Sequence, residues 1–282
     1  QRIGQAGDPQ ADAARRLGGR RLLRQRAVGD VDHIVEHPHG NRRRARQGVD
    51  VELRFGRKAV LHEAHAIGST VHAHDLADRL DCRAHTVITI DPDDAKDFDD
   101  AICLQRVSPE QWRLWVHIAD VSHYVKPGTA LDTEARKRGN STYLVDRVIP
   151  MLPEALSNEL CSLKPNVDRL TKCVEFLIAN DGRVVSTKFY PAVIHSQRRF
   201  TYAQALEILQ RKPTDDPIEQ MLHRAHELAQ KIRRRRFKAG SLELDFPETK
   251  IRLDGQGRVL RVEKTENDVS HQLIEECMLL AN

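Results

Sequence analysis

Six aspartates fall within ten positions, at 91, 93, 94, 97, 99 and 100, directly after an apolar stretch that ends at Ile90. Like charges a few ångströms apart raise one another's pKa and oppose folding unless they turn into water or share a cation. Hard divalent cations prefer carboxylate oxygens, and Mg²⁺ keeps several waters and completes its shell with substrate phosphate. In a regular strand Asp97 and Asp99 would share one face while Asp100 pointed to the other. Convergence of these three with Asp91 therefore requires residues 92–98 to fold back as a loop, an excursion that Pro92 favours. A solvated acidic loop and a calcium turn are the plain alternatives. An EF-hand loop counted from Asp91 would need Gly at its sixth place and Glu at its twelfth, where this chain has Lys96 and Ile102. The phosphatase pattern Asp-x-Asp-x-Thr fails as well, because Ala101 follows Asp97-Phe98-Asp99-Asp100.

From about residue 78 the chain reads as a well-formed mixed domain. Segments 86–90, 101–105 and 112–118 are rich in β-branched and aromatic residues and predict strands, the last two joined through Ser108-Pro109. Segments 173–179 and 184–190 flank Asn180-Asp181-Gly182, which predicts a tight hairpin. Thr201 opens a helix with Tyr202, Ala205 and Ile208 on one face, and a longer helix is expected from Pro217 to Lys238, ended by Gly240. Strands over 250–253 and 259–264 lead to a closing helix from about Asp268. Strands and helices are grouped rather than alternating, so the expected class is α+β, a mixed and mainly antiparallel sheet with packed helices.

Residues 1–77 are compositionally different. They contain no lysine before Lys58, arginines clustered as at Arg20, Arg21 and Arg42 to Arg44, and seven of the chain's 14 histidines. Only 49–55 alternates like a strand, and no periodic apolar pattern is sustained over a full element. A basic RNA-binding arm, a disordered extension and a stretch translated from high-GC DNA in a wrong frame all fit that bias. The expected organisation is an irregular Arg/His-rich segment over 1–77 followed by a folded domain over 78–282. Removal of the segment is expected to leave the domain's stability nearly unchanged.

Composition excludes some classes of function. With 40% hydrophobic and 30% charged residues and no apolar run long enough for a bilayer, the chain is expected to be globular and free of membrane. Five scattered cysteines without a C-x-x-C pair argue against a disulfide framework or zinc knuckle and for a reducing compartment, the cytoplasm. A net charge of +4 suits a nucleic-acid partner without requiring one. The chain begins at Gln1 without a signal-peptide pattern and stops after an apolar helical run over 273–280, so a piece of a longer protein is expected.

The segment TIDPDDAKDFDDAI (89–102) resembles the signature of the RNB family, the ribonuclease II and ribonuclease R exoribonucleases. Four more segments resemble that family in its order: WRLWVHIADVSHYV (112–125), RGNSTY (138–143), VIPMLPEALSNELCSL (148–163) and SHQLIEECMLLAN (270–282). The resemblance is closer to the ribonuclease R branch and covers residue 80 onward, which makes 78–282 the front part of such a catalytic domain. It implies hydrolysis of single-stranded RNA from its 3′ end to nucleoside 5′-monophosphates, with Mg²⁺ or Mn²⁺ as cofactor. Asp91, Asp97, Asp99 and Asp100 are implied as catalytic metal-binding residues, with Asp91 and Asp100 as direct ligands and Asp97 in support; Asp93 and Asp94 lie outside that set. Tyr143 is implied as a ring that stacks on the 3′-terminal bases. A second stacking aromatic is usual after the long helix, and its place here reads Leu244, with Phe246 two residues on. The run Arg233 to Arg236 could line an RNA channel or be a solvated helix face, and His117 and His123 are given no catalytic role. The flanking cold-shock and S1 domains of the family, and the arginine and glutamate from the later part of its catalytic domain, are not recognisable in this chain. A catalytically incompetent RNA-binding fragment is therefore the alternative function. No obligate protein partner is implied.

Overall fold

The computed structural model describes residues 58–242, 248–265 and 267–282. Its centre is a seven-stranded sheet in the order β1-β8-β7-β4-β3-β2-β9. These strands are β1 (Leu80–Asp81), β2 (Ile88–Asp91), β3 (Asp100–Ser108), β4 (Gln111–Ala119), β7 (Asp168–Ala179), β8 (Val184–His195) and β9 (Arg198–Thr201). Two small ribbons complete the strands, β5 (Thr142–Tyr143) with β6 (Val148–Ile149), and β10 (Glu248–Leu253) with β11 (Val259–Thr265). Pairing in the main sheet is antiparallel except where β1 joins β8 and β9 joins β2. The α+β class expected from the grouping of elements is the class observed.

Local chemistry accounts for the long hairpin. Strands β7 and β8 pair from Asp168↔His195 to Ile178↔Val184 around the Asn180-Asp181-Gly182 turn. Gly182 adopts φ +85°, and a Cβ there would sit 2.9 Å from the backbone of Lys231. A side chain at 182 would thus be excluded twice, by backbone conformation and by the helix that passes over the turn.

Among the described residues the helices longer than two turns are α1 (Lys58–Ile67), α2 (Ala130–Arg138), α3 (Tyr202–Gln210), α4 (Pro217–Lys238) and α5 (Val269–Ala281). Thr201 caps α3 in a reciprocal box with Gln204, Asp216 caps α4 ahead of Pro217, and Asp268 caps α5. Along α4 the buried residues Met221, Leu222, Ala225, Leu228, Ala229 and Ile232 follow a helical stripe. Helices α3 and α5 pack on each other, α4 packs on α5, and they contact β2, β3 and β4. Two of the four arginines in the run 233–236 have a structural use: Arg236 donates to the buried carboxylate of Glu276 at 2.6 Å and Arg233 at 3.3 Å, tying α4 to α5. Arg235 lies 3.5 Å from Asp181, at the hairpin turn. All five cysteines are free and buried, and among the described residues no helix is long and apolar enough to cross a membrane.

The structure departs from the irregular segment expected up to residue 77. Helix α1 buries Val60 and Ala64 and packs against α2 and the wide helical turn Ala155–Leu160. Val60, Ala64 and Ile67 lie at i, i+4 and i+7, a genuine amphipathic stripe that is too short to stand out among alanines and histidines. The turn Ala73–Leu76 is also attached: Asp75 is 8% exposed and lies 2.8 Å from His123 Nε2. Arg79 donates to Asp120 Oδ2 at 2.7 Å and lies 3.1 Å from His123 Nδ1, closing the network. The strand-like stretch 49–55 and the arginine clusters at 20–21 and 42–44 lie outside the described residues. Accordingly, a chain beginning at Asp78 should melt roughly 10 °C below one beginning at Lys58, given the apolar side chains and the Asp75–His123 contact removed. Equal melting points by calorimetry would show that residues 58–77 are not part of the folded unit.

Candidate active site

The aspartates are brought together by the way β2 and β3 part. The two strands share the single rung Ile88↔Ile102, after which β2 runs on to Asp91 while β3 begins at Asp100. Residues 92–99 form the expected loop between them. Ser162, fully buried, brackets the loop's second half: its hydroxyl donates to the Lys96 carbonyl at 2.8 Å and accepts from Phe98 N–H at 3.0 Å. Leu163 N–H adds a bond to the Phe98 carbonyl. On the first half, Arg199 donates to the carbonyls of Pro92 and Asp93, and Ala95 N–H closes a turn onto Pro92.

Asp91 is 7% exposed, and its Oδ2, like that of Asp100, is buried without a hydrogen-bond partner. Burial, and then the neighbouring Asp100, push the Asp91 carboxyl up to about 7, while Arg199 pulls the other way. Burial and Asp99 push Asp100 up to about 6. Asp99 is also shifted upward, by loss of solvent and by Asp97. The four aspartates thus form an electrostatically linked series from Asp91 through Asp100 and Asp99 to Asp97. Asp97 accepts a 3.3 Å bond from the Tyr143 hydroxyl. Asp94 is occupied elsewhere, by Lys250 at 2.9 Å.

An open cleft of about 1050 Å³ lies over this series, larger than most small-molecule pockets. Asp91, Asp97, Asp99 and Tyr143 line it, whereas Asp100 sits behind the lining. Lys250 and Lys264 of the β10–β11 ribbon also line it. So do Tyr202 and His271, whose rings stack with centroids 3.8 Å apart. Burial, followed by the charges of Asp100 and Asp91, raises the Tyr202 phenol to about 12. In the sequence Tyr202 and His271 read only as members of a helix face and of a matched segment. Their place in the cleft follows from the register Asp91↔Thr201, which ends β9 beside the carboxylates and starts α3 there. His117 is wholly buried on β4, 3.1 Å from the Thr171 hydroxyl, away from the cleft lining. Leu244 and Phe246 lie outside the described residues.

Among the described residues no three His, Cys, Asp or Glu side chains stand as a ready-made metal cage. The donor set nevertheless fits a hard divalent cation. Two buried carboxylate oxygens lack any partner, and Mg²⁺ characteristically binds through one or two carboxylates, water and substrate phosphate.

Comparison with known proteins adds independent findings. The RNB domain family matches residues 79–282. Ribonuclease R of Thermotoga maritima is 46% identical over 79% of this chain, and that of Escherichia coli 39% identical over 94%. The chain spans about a third of the length of these curated relatives, 32% and 34% respectively. Among solved structures, Mycoplasma genitalium RNase R in complex with ribose-methylated single-stranded RNA superposes with a TM-score of 0.75 at 34% identity, over 80% of this chain and 36% of that one.

Proposed function

Since the chain belongs to the RNB domain family, we propose that it forms part of a 3′-to-5′ exoribonuclease hydrolysing single-stranded RNA to nucleoside 5′-monophosphates with Mg²⁺ or Mn²⁺. One observation carries the chemistry: the unpartnered, buried carboxylate oxygens of Asp91 and Asp100, which cluster at the end of β2 beside an open cleft. Asp91 and Asp100 are the residues that would hold the cation, with Asp99 beside them and Asp97 at the outer end of the series. When bound, the cation supplies positive charge to the phosphodiester oxygens and activates water for in-line attack. Lys250 and Lys264 offer positive charge to the RNA backbone, and their contribution weakens with added salt. The proposed place of action is the cytoplasm, where thiols stay reduced.

Incubating 5′-labelled single-stranded RNA with the protein and Mg²⁺ should give products that shorten stepwise from the 3′ end. Internal cuts, or equal cleavage in EDTA, would refute the proposal. Binding of RNA without cleavage would favour the non-catalytic reading for a chain of this length.

Tyr143, 68% exposed at the cleft wall, is assigned to holding the RNA end. Stacking uses the ring face and not the hydroxyl, whose bond to Asp97 is long and exposed. Tyr143→Phe should bind and degrade RNA within about threefold of the parent, whereas Tyr143→Ala should weaken short-RNA binding by roughly 10- to 100-fold, one stacked base. The Ala variant should also change the length at which degradation stops. A Phe variant as inactive as Asp99→Asn would place the hydroxyl in the chemical step.

A further inference from the structure

We propose that Arg199 is the positioning residue of the acidic loop: its guanidinium clamps the loop's first half against β2, so that Asp97 and Asp99 face the same cleft as Asp91. The inference rests on the proposed role of the carboxylates and adds a residue outside them.

Four observations converge on this side chain. Arg199 lies on β9 in parallel register with Thr89, two residues short of the pair Asp91↔Thr201. Its neighbours Arg198 and Phe200 are committed to the other face, Arg198 to Asp216 at 2.7 Å and Phe200 to the core. Its Nη2 donates to the main-chain carbonyls of both Pro92 and Asp93, at the sharpest part of the loop. Its Cζ lies over the Phe98 ring, 5.2 Å from the centroid, and so the side chain reaches the far end of the same loop. One planar cation thus spans residues 92 to 98, while Ser162 holds residues 96 and 98 from the other side.

Charge alone does not require this arrangement. A cation placed only to neutralise Asp91 would be best pointed at the carboxylate, and a lysine would serve as well. Arg199 instead spends its donors on carbonyls, leaving Nε buried without a partner. Donation from Nη2 to two carbonyls could be imitated by an ammonium, but a guanidinium whose carbon also lies over the Phe98 ring combines the two contacts in a way that lysine cannot reproduce.

The two accounts predict opposite metal behaviour. If Arg199 positions the loop, Arg199→Gln scatters the ligands and weakens Mn²⁺ binding. If it serves as counter-charge only, removing a cation from a carboxylate cluster strengthens Mn²⁺ binding.

Hydrogen exchange in the metal-free protein is the first measurement. Amides of residues 93–98 should exchange about tenfold faster in Arg199→Gln, the scale of one charged hydrogen bond lost, while amides of β4 and β7 stay protected. Titration with Mn²⁺, followed by electron paramagnetic resonance, is the second. Both Arg199→Gln and the charge-retaining Arg199→Lys should bind Mn²⁺ about tenfold more weakly than the parent. Unchanged exchange in the loop, or Mn²⁺ binding that tightens in Arg199→Gln and is parental in Arg199→Lys, overturns the inference. Faster loop exchange in a protein whose parent form binds no Mn²⁺ would uphold the positioning role and remove the metal reading instead.

Discussion

Asparagine at Asp91 or Asp100 should make the metal-free chain harder to unfold and, on the proposed chemistry, should sharply lower RNA turnover. The side chain keeps its shape and loses its charge. Each parent carboxylate has a buried oxygen without a partner and sits beside another carboxylate, an arrangement that costs free energy until a cation arrives. The pH sign follows from the raised Asp91 value of about 7 against 3.8 for the free group. The folded chain binds that proton more tightly than the unfolded chain, so stability present below 3.8 is lost as pH rises through about 7. In EDTA the excess stability of Asp91→Asn over the parent should therefore grow between those values and level off on the order of 1–3 kcal/mol. Saturating Mn²⁺ should reverse the order, because only the parent gains from binding. Turnover should fall by at least about 10²-fold, the scale of removing charge stabilisation from a transition state. Asp93→Asn, at an exposed side chain whose carbonyl alone is used, should stay within about twofold, as surface changes usually do. Urea titrations with and without Mn²⁺, beside an RNA assay, decide the matter. An Asp91→Asn protein that is less stable in EDTA and still cleaves RNA would remove the aspartates from the metal site.

His117 should dominate the acid limb of stability in the other direction. Burial drives its imidazole down to about 3, with nearby His85 adding to the effect. The unfolded chain takes up this proton near 6.5 and the folded chain does not. The contribution is complete above 6.5 and is lost as pH falls towards 3, a change on the order of 4 kcal/mol. Asp91 and Asp100 oppose it in the metal-free chain, since their protonation stabilises the fold over part of the same window. The informative quantity is thus the difference between parent and His117→Gln. The variant should be weaker at pH 8, where it loses packing, and should lose much less than the parent between 6.5 and 4. Parallel stability curves over that window would mean that the buried imidazole takes up its proton in the fold as readily as in the unfolded chain.

Several elements were legible because one local signal decides each. β-branched residues announce β2 to β4, Asn180-Asp181-Gly182 announces the β7–β8 turn, and Thr201, Asp216-Pro217 and Asp268 mark helix starts. The cluster of six aspartates was legible as a pattern, the choice of four among them came from the family resemblance, and the need for a loop over 92–98 followed from strand alternation. What stayed hidden depends on distant partners. Strand β9 is four residues with two arginines, and only its pairing with β2 makes it a strand. Ser162 and Arg199 meet the acidic loop across more than sixty residues of chain. Arg233 and Arg236 read as a solvated face or channel wall until Glu276 is placed beneath them. Helix α1 was missed because its buried face amounts to two small side chains.

The parallel rungs between β2 and β9 carry a consequence for the growing polypeptide. Ile88 meets Arg198, a residue made about 110 positions later. Hairpins β3–β4 and β7–β8 can close from nearby segments as they emerge, but the outer wall of the carboxylate cleft cannot. Distant pairings of this kind form late, since the intervening chain must first be ordered. Until β9 has left the ribosome, Arg199 cannot clamp the acidic loop and α3 cannot be started beside it. The carboxylate cleft of a chain built this way stays unassembled while its own messenger is still being translated.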